Sequence, residues 1–272
     1  MIDLLGGTTA AVRYDDGSQL DAVLSPRPFL TATARGGASV TDVSPADHAH
    51  HLGVSVAIPD VDGTSFWGGR TYDRQRGSVL LGNHGTQRVC TREVTEGRVS
   101  ETLSWVDQRG DELLTEIRTI SARESDDGWE LTWLTDLVAS GQDISFGSPQ
   151  TNGRVGAFYG GIFWRTPFAN ATVCSADGAG IEAAHGSASP WIALDGDGAS
   201  LVAATTTGMP WFVRTSGYTG FGPAVAVSGR RHLAAGETLH LDLAVAVLDR
   251  TPEAPDRISA RLLTDTQELA AA

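Results

Sequence analysis

Apolar and polar residues alternate with a period of two along much of this chain. The runs 101–106 (ETLSWV), 113–120 (LLTEIRTI), 129–134 (WELTWL) and 240–247 (HLDLAVAV) carry it most clearly. Alternation of this kind puts every second side chain on one face of a sheet, so each run predicts a half-buried strand. Turn signals separate the runs: Asp15-Asp16-Gly17, Gln108-Arg109-Gly110-Asp111, Asp126-Asp127-Gly128 and Asp195-Gly196-Asp197-Gly198. That spacing suits a meander of hairpins. The period changes only in the tail. After Thr251-Pro252, residues 255–271 place Ile258, Leu262, Leu263 and Leu269 among good helix formers, which predicts a helix. Its expected role is to cover a sheet edge. No internal repeat or low-complexity linker divides the chain. The expected fold is mainly β, a single large antiparallel β-sandwich over residues 1–250, with a helical appendage at 251–272.

Length and charge narrow the function classes. A chain of 272 residues buries a large core, and sandwiches of that size are commonly one domain. Its net charge of -13 repels nucleic acid and anionic membrane surfaces. Every basic residue other than histidine is arginine, so lysine Schiff-base and lysine general-base chemistry are closed. Cys90 and Cys174 are too few for a disulfide framework or a thiolate cluster. No apolar run approaches the roughly 18 residues of a membrane helix. The opening MIDLLGG has no basic segment leading into an apolar stretch, so a cytoplasmic location is the expectation. Neither charge nor length decides the oligomeric state.

The densest polar cluster is Asp47-His48-Ala49-His50-His51-Leu52-Gly53. On a strand, His48 and His50 would share one face and His51 the other. Two imidazoles on one face could hold a divalent metal, with His84 and a carboxylate such as Glu116 as further ligands. Neutral imidazoles also pass protons at neutral pH without any metal, which makes His48, His50, His51 and Glu116 the candidate catalytic groups. A purely structural role, with the rings hydrogen-bonded in a turn after Ser44-Pro45, is the third reading. Arginines in predicted strands form a second set: Arg27, Arg118, Arg165 and Arg214. An inward arginine needs a carboxylate or an oxygen-rich ligand. Glu116 and Arg118 share a strand face, which suits an ion pair as well as a substrate clamp. Trp67, Tyr159, Trp164 and Trp211 are the candidate aromatic contacts for a sugar ring, whereas Trp105, Trp129 and Trp133 sit at core positions.

Several segments together resemble a bacterial family labelled methane oxygenase PmoA (DUF6807-like). They are Arg27-Pro28-Phe29, the D-H-A-H-H-L-G run, Asp62-Gly63-Thr64-Ser65-Phe66-Trp67, Leu114-Thr115-Glu116-Ile117-Arg118-Thr119, Gly160-Gly161-Ile162-Phe163-Trp164-Arg165 and Pro210-Trp211-Phe212-Val213-Arg214. The label would imply a soluble metal-dependent oxygenase, since the chain lacks the segments of a membrane enzyme. In strand density, and in its turn at residues 233–239 before a last long strand, the chain also looks like the galactose-mutarotase-like supersandwiches. That likeness implies a concave sheet that binds a sugar ring, with histidine and carboxylate groups moving protons near the anomeric carbon. The leading expectation is a carbohydrate-active enzyme acting on a sugar or oxidised (keto) sugar glycoside by elimination, hydrolysis or epimerisation. It would require no cofactor, or one divalent metal ion. The alternatives are the oxygenase and a non-catalytic carbohydrate-binding module.

Overall fold

The period-two segments pair into two stacked antiparallel sheets. The computed structural model describes residues 1–6 and 11–271. One sheet has seven strands in the order Ile2–Leu5, Ala11–Asp15, Phe29–Thr33, Val54–Ala57, Gly161–Thr166, Thr219–Pro223, Trp211–Arg214. The other has nine, in the order Gly178–Ala179, Thr172–Ser175, Trp191–Gly196, Ala199–Ala204, Thr238–Leu248, Gly128–Ala139, Glu112–Ser125, Arg98–Val106, Thr86–Thr95. Between them lies one continuous core. Val56, Ile162, Trp164, Trp211 and Phe221 from the first sheet meet Leu103, Trp105, Trp133, Leu201 and Val245 from the second. The antiparallel β-sandwich read from the sequence is the fold observed. All four alternating runs lie in the larger sheet, and hairpin turns fall at Gln108–Asp111 and Asp126-Asp127 as the turn chemistry predicts.

The helix spans Pro255–Ala271, but it covers a sheet face and not an edge. Leu262, flanked by Ile258 and Leu263, packs on Val202, Ala204, Ala244, Ala246 and Leu248 of two central strands. Those outward side chains are small and apolar, so they require a cover and let a helix approach closely. Arg261 ties the helix down through a 2.5 Å contact to Glu130. Among the described residues no helix is long and apolar enough to cross a membrane. Cys90 and Cys174 are both free thiols.

Two expected site residues lie inside the sandwich. Leu114, Glu116, Arg118 and Ile120 share the inward face of Glu112–Ser125, and all four are buried. Arg118 donates to Glu101 at 2.6 and 2.9 Å, and its Nη1 lies 3.6 Å from Glu116. Trp105 Nε1 donates to Glu116 at 2.7 Å, and Thr135 donates to it at 3.2 Å. From the opposite sheet the Tyr14 hydroxyl donates to Glu101 at 2.6 Å. Glu116 and Arg118 are therefore parts of a buried polar bridge between the layers, remote from solvent, and the ion-pair explanation of their spacing is the one realised. Trp211 belongs to the same interior, with Nε1 donating to the Ser189 carbonyl at 2.8 Å.

Candidate active site

The outer face of the seven-stranded sheet carries the polar chemistry. Period two reverses the roles of neighbours there: Ile162 and Trp164 point into the core, while Phe163 and Arg165 point outward. Likewise Trp211 and Val213 face inward, and Phe212 and Arg214 face outward. Register places Arg165 and Arg214 on either side of Gly220, and Phe212 opposite Gly222. A Cβ on Gly220 would come within 2.6 Å of the Phe163 ring, so this glycine makes room for that ring to lie across the sheet. The result is an aromatic floor of Trp67, Phe158, Phe163, Phe212 and Tyr218, with Tyr159 packed beside it.

The histidine segment sits at one side of this floor. It is not a strand. His48 N–H donates to the Pro45 carbonyl and His51 N–H to that of His48, while Ser44 N–H donates to that of His51. These bonds coil the segment into a turn, as Ser44-Pro45 favours, and the three rings converge instead of alternating between faces. His48 and His51 stack at 4.6 Å between centroids, His50 and His51 meet edge to face at 4.8 Å, and His48 and His50 lie 5.7 Å apart. Gly53 closes the motif because its backbone runs against the Leu30 carbonyl, 2.1 Å from where a Cβ would stand, at φ 49°.

The imidazoles differ in environment. His51 is 2 % exposed and packs against Trp67, Phe163 and Tyr218. Burial holds its pKa far below the usual range, reinforced by His50, His48 and the nearby Arg165 and Arg27, so it is neutral. Burial and then Arg27 push His50 down to about 4. His48 is the most accessible, with its Nδ1 2.8 Å from the Asp47 carboxylate. That contact fixes the ring and leaves Nε2 as its second protonation site.

The His50 shift implies a pH dependence. Its folded pKa of about 4 lies below the ordinary 6.5, so the unfolded chain takes up the proton first as pH falls. The stability this group contributes is whole above 6.5 and is lost progressively as pH falls toward 4. The melting temperature of a His50→Asn variant is expected to fall less steeply than that of the parent across this window. Parallel curves would contradict the assignment.

Arg27 is buried and wholly committed to the scaffold. It donates to the Ser55 hydroxyl, to the carbonyls of Leu24 and Ser25, and through Nη2 to the His50 carbonyl at 2.8 Å. It therefore positions the histidine turn, and each of its guanidinium nitrogens already has an acceptor. Arg165 differs. Its Nη2 makes only long contacts to Asp42 and Asp47, at 3.4 and 3.5 Å, while Nε and Nη1 are buried without a partner. His51 Nδ1 is likewise buried and unpartnered. Both groups border Tyr218, whose ring lies 4.7 Å from the Arg165 guanidinium carbon and 5.1 Å from the His51 centroid.

His84 does not join His48 and His50 as a ligand set. Its Nε2 donates to the Gly69 carbonyl at 2.8 Å, because the neighbouring Ser65 bridge pins this loop against residues 65–69. Among the described residues no three His, Cys, Asp or Glu side chains are arranged to hold a metal ion. The expected His48, His50 and His84 set is thus not brought together.

A cavity of about 250 Å³ opens beside the floor, lined by Tyr159, His185, Phe212 and Arg214. Tyr159 lies tilted against Trp67 at 4.4 Å and meets Phe212 edge to face at 5.4 Å, joining the cavity to the histidine side. Burial pushes the Tyr159 hydroxyl up to about 12, so it stays a donor at neutral pH. Of the expected residues, the fold gathers His48, His50, His51, Trp67, Tyr159, Arg165 and Arg214 on one face, with Arg27 beneath. It leaves Glu116, Arg118 and Trp211 in the interior. Asp47, Phe163, Phe212, Tyr218 and His185 are additional members. Phe163 and Phe212 were readable in principle, since each shares the strand parity of Arg165 or Arg214; His185 and Tyr218 carry no local signal.

This architecture defines a galactose-mutarotase-like β-sandwich. This fold has counterparts in solved structures that cover nearly the whole chain. An Escherichia coli K12 protein provisionally described as an aldose 1-epimerase matches with a TM-score of 0.50 and 9 % identity, over 89 % of this chain and 97 % of its own. A galactose mutarotase-like protein from Lactobacillus casei ATCC 334 matches with a TM-score of 0.50 and 8 % identity, over 91 % and 99 %. At such identities the likeness concerns the fold. None of the curated proteins matches this sequence. The chain belongs to DUF6807, a family of unknown function, whose model matches residues 2–262. Nothing in these comparisons supports the methane-oxygenase label that the motifs first suggested.

Proposed function

We propose that this protein is a carbohydrate-active enzyme that binds a sugar or oxidised (keto) sugar glycoside on the aromatic outer face of its smaller sheet. His48, oriented by Asp47, transfers the proton. The observation that carries this reading is the Asp47–His48 pair beside a floor whose buried Arg165 and His51 still have polar atoms without partners. Unpartnered buried donors and acceptors are costly unless a ligand or water completes them. Tyr159 and Phe212, which line the cavity, offer aromatic surface against which the C–H side of a pyranose packs. Elimination, hydrolysis and epimerisation all use positioned acid and base groups, and an imidazole held by a carboxylate is suited to one of those roles. The sugar-related descriptions of the two structural neighbours support the substrate class.

The test is a product screen by NMR with aldoses, alkyl glycosides and 3-keto-glycosides. Accelerated anomeric exchange or a new product from at least one class is the expected result. Binding of a sugar with no turnover of any class would replace the enzyme by a carbohydrate-binding module. Neither binding nor turnover would overturn the reading altogether.

A further inference from the structure

Arg165 and Arg214 are the two outward arginines of one cross-strand row. Arg165 pairs with Gly220, and Gly220 pairs with Arg214, so no side chain of the row stands between them. Tyr218 lies there instead, with guanidinium carbons 4.7 and 4.8 Å from its ring centroid. We infer that the sugar bound on this face carries a carboxylate, held between Arg165 and Arg214 beside Tyr218. The inference rests on the proposed sugar-binding role of the same face and specifies its substrate class.

Two guanidiniums against one aromatic ring gain from its π face, but they repel each other in a partly dry setting. Asp42 and Asp47 relieve only Nη2 of Arg165, at 3.4 and 3.5 Å, and they approach from the histidine loop. Arg165 is 6 % exposed, yet Nε and Nη1 have no acceptor. Arg214 is exposed, donates Nε–H to the Ser216 carbonyl at 2.9 Å, and has no carboxylate partner among the described residues. Arg154 adds a third positive charge near Tyr159 and Tyr218. Among the described residues neither Arg214 nor Arg154 has a carboxylate partner, on a chain whose net charge is -13. A neutral hydroxyl would fill one hydrogen bond and leave the repulsion. A carboxylate answers both, since its two oxygens match the planar guanidinium fork. Arg214 also lines the open cavity, so a ligand on the floor reaches it without displacing the core.

The probes are methyl β-glucuronide and methyl β-glucoside, which differ in the carboxylate, with glucose 6-phosphate as a third ligand, titrated calorimetrically into the whole chain. The expected result is glucuronide binding tighter by about tenfold or more, the scale of one charge-assisted hydrogen bond. The preference should shrink with added salt. It should also be lost in Arg214→Gln, whose exposed side chain leaves the fold intact, as an unchanged melting temperature would verify. Arg165→Gln should abolish it too. Equal affinity for glucuronide and glucoside would overturn the carboxylate and leave the sugar site standing. Tighter binding of the phosphate ester would likewise overturn the carboxylate. Binding of none of the three would remove the sugar site itself.

Discussion

Alanine in place of His48 is expected to lower turnover by about 10²–10⁴-fold, the usual worth of a positioned acid–base group. The same change should leave the melting temperature within a few degrees of the parent. The His48 ring is more than a third exposed and its one strong contact is with Asp47, so little packing is lost. His51→Ala makes the informative contrast. That ring is buried among Trp67, Phe163 and Tyr218, and removing it opens a space in the floor, so stability should fall as well as activity. Asp47→Asn should also lower turnover, because the ring loses the carboxylate that fixes its orientation. Undiminished turnover by His48→Ala, on whichever sugar the screen identifies, would remove the Asp47–His48 pair from the chemistry.

The second large effect concerns the interior. Arg118→Met is expected to cost about 3–5 kcal/mol, because it strips the counter-charge from buried carboxylates without removing them. Glu101 would keep Arg92, whose Nε lies 2.5 Å away, but Glu116 would lose its one cationic partner. For a domain of this size that corresponds to a melting temperature lower by roughly 10 °C. Adding Glu116→Gln should restore part of the loss, since an amide there no longer needs a counter-charge. If Arg118→Met instead weakened substrate binding at an unchanged melting temperature, the assignment of this network to the scaffold would fail.

The contrast between Arg118 and Arg165 shows where local sequence stops informing. Each arginine stands in a strand amid alternating residues, and each faces away from its apolar or aromatic neighbour as period two requires. Alternation says which residues share a face. It does not say whether that face meets the other sheet or the outside, because a sandwich strand can be buried on both sides. The inner face of Glu112–Ser125 therefore holds Glu116 and Arg118, while the outer face of Gly161–Thr166 holds Arg165. The same ambiguity exchanged Trp211 for Phe212. Trp211 has the larger ring and the more sugar-like profile, yet it fills the core, and its smaller neighbour lines the cavity.

The strand reading of the histidine segment fails for a different reason. A strand geometry for residues 47–53 assumes that alternation continues through polar residues, where nothing enforces it. Ser44-Pro45 begins a turn, Gly53 ends it against Leu30, and the bonds between them bring together rings that a strand would have parted.

Strand alternation, turn residues and the helical tail were legible without coordinates, because each is set by the conformational preferences of a few neighbouring residues and by solvent on one side. Which faces meet, which arginines are satisfied by carboxylates, and which imidazoles stack beside Tyr218 were decided by contacts between residues as far apart as Tyr14 and Arg118. Such pairings follow from the stacking of whole sheets, and no short segment encodes them.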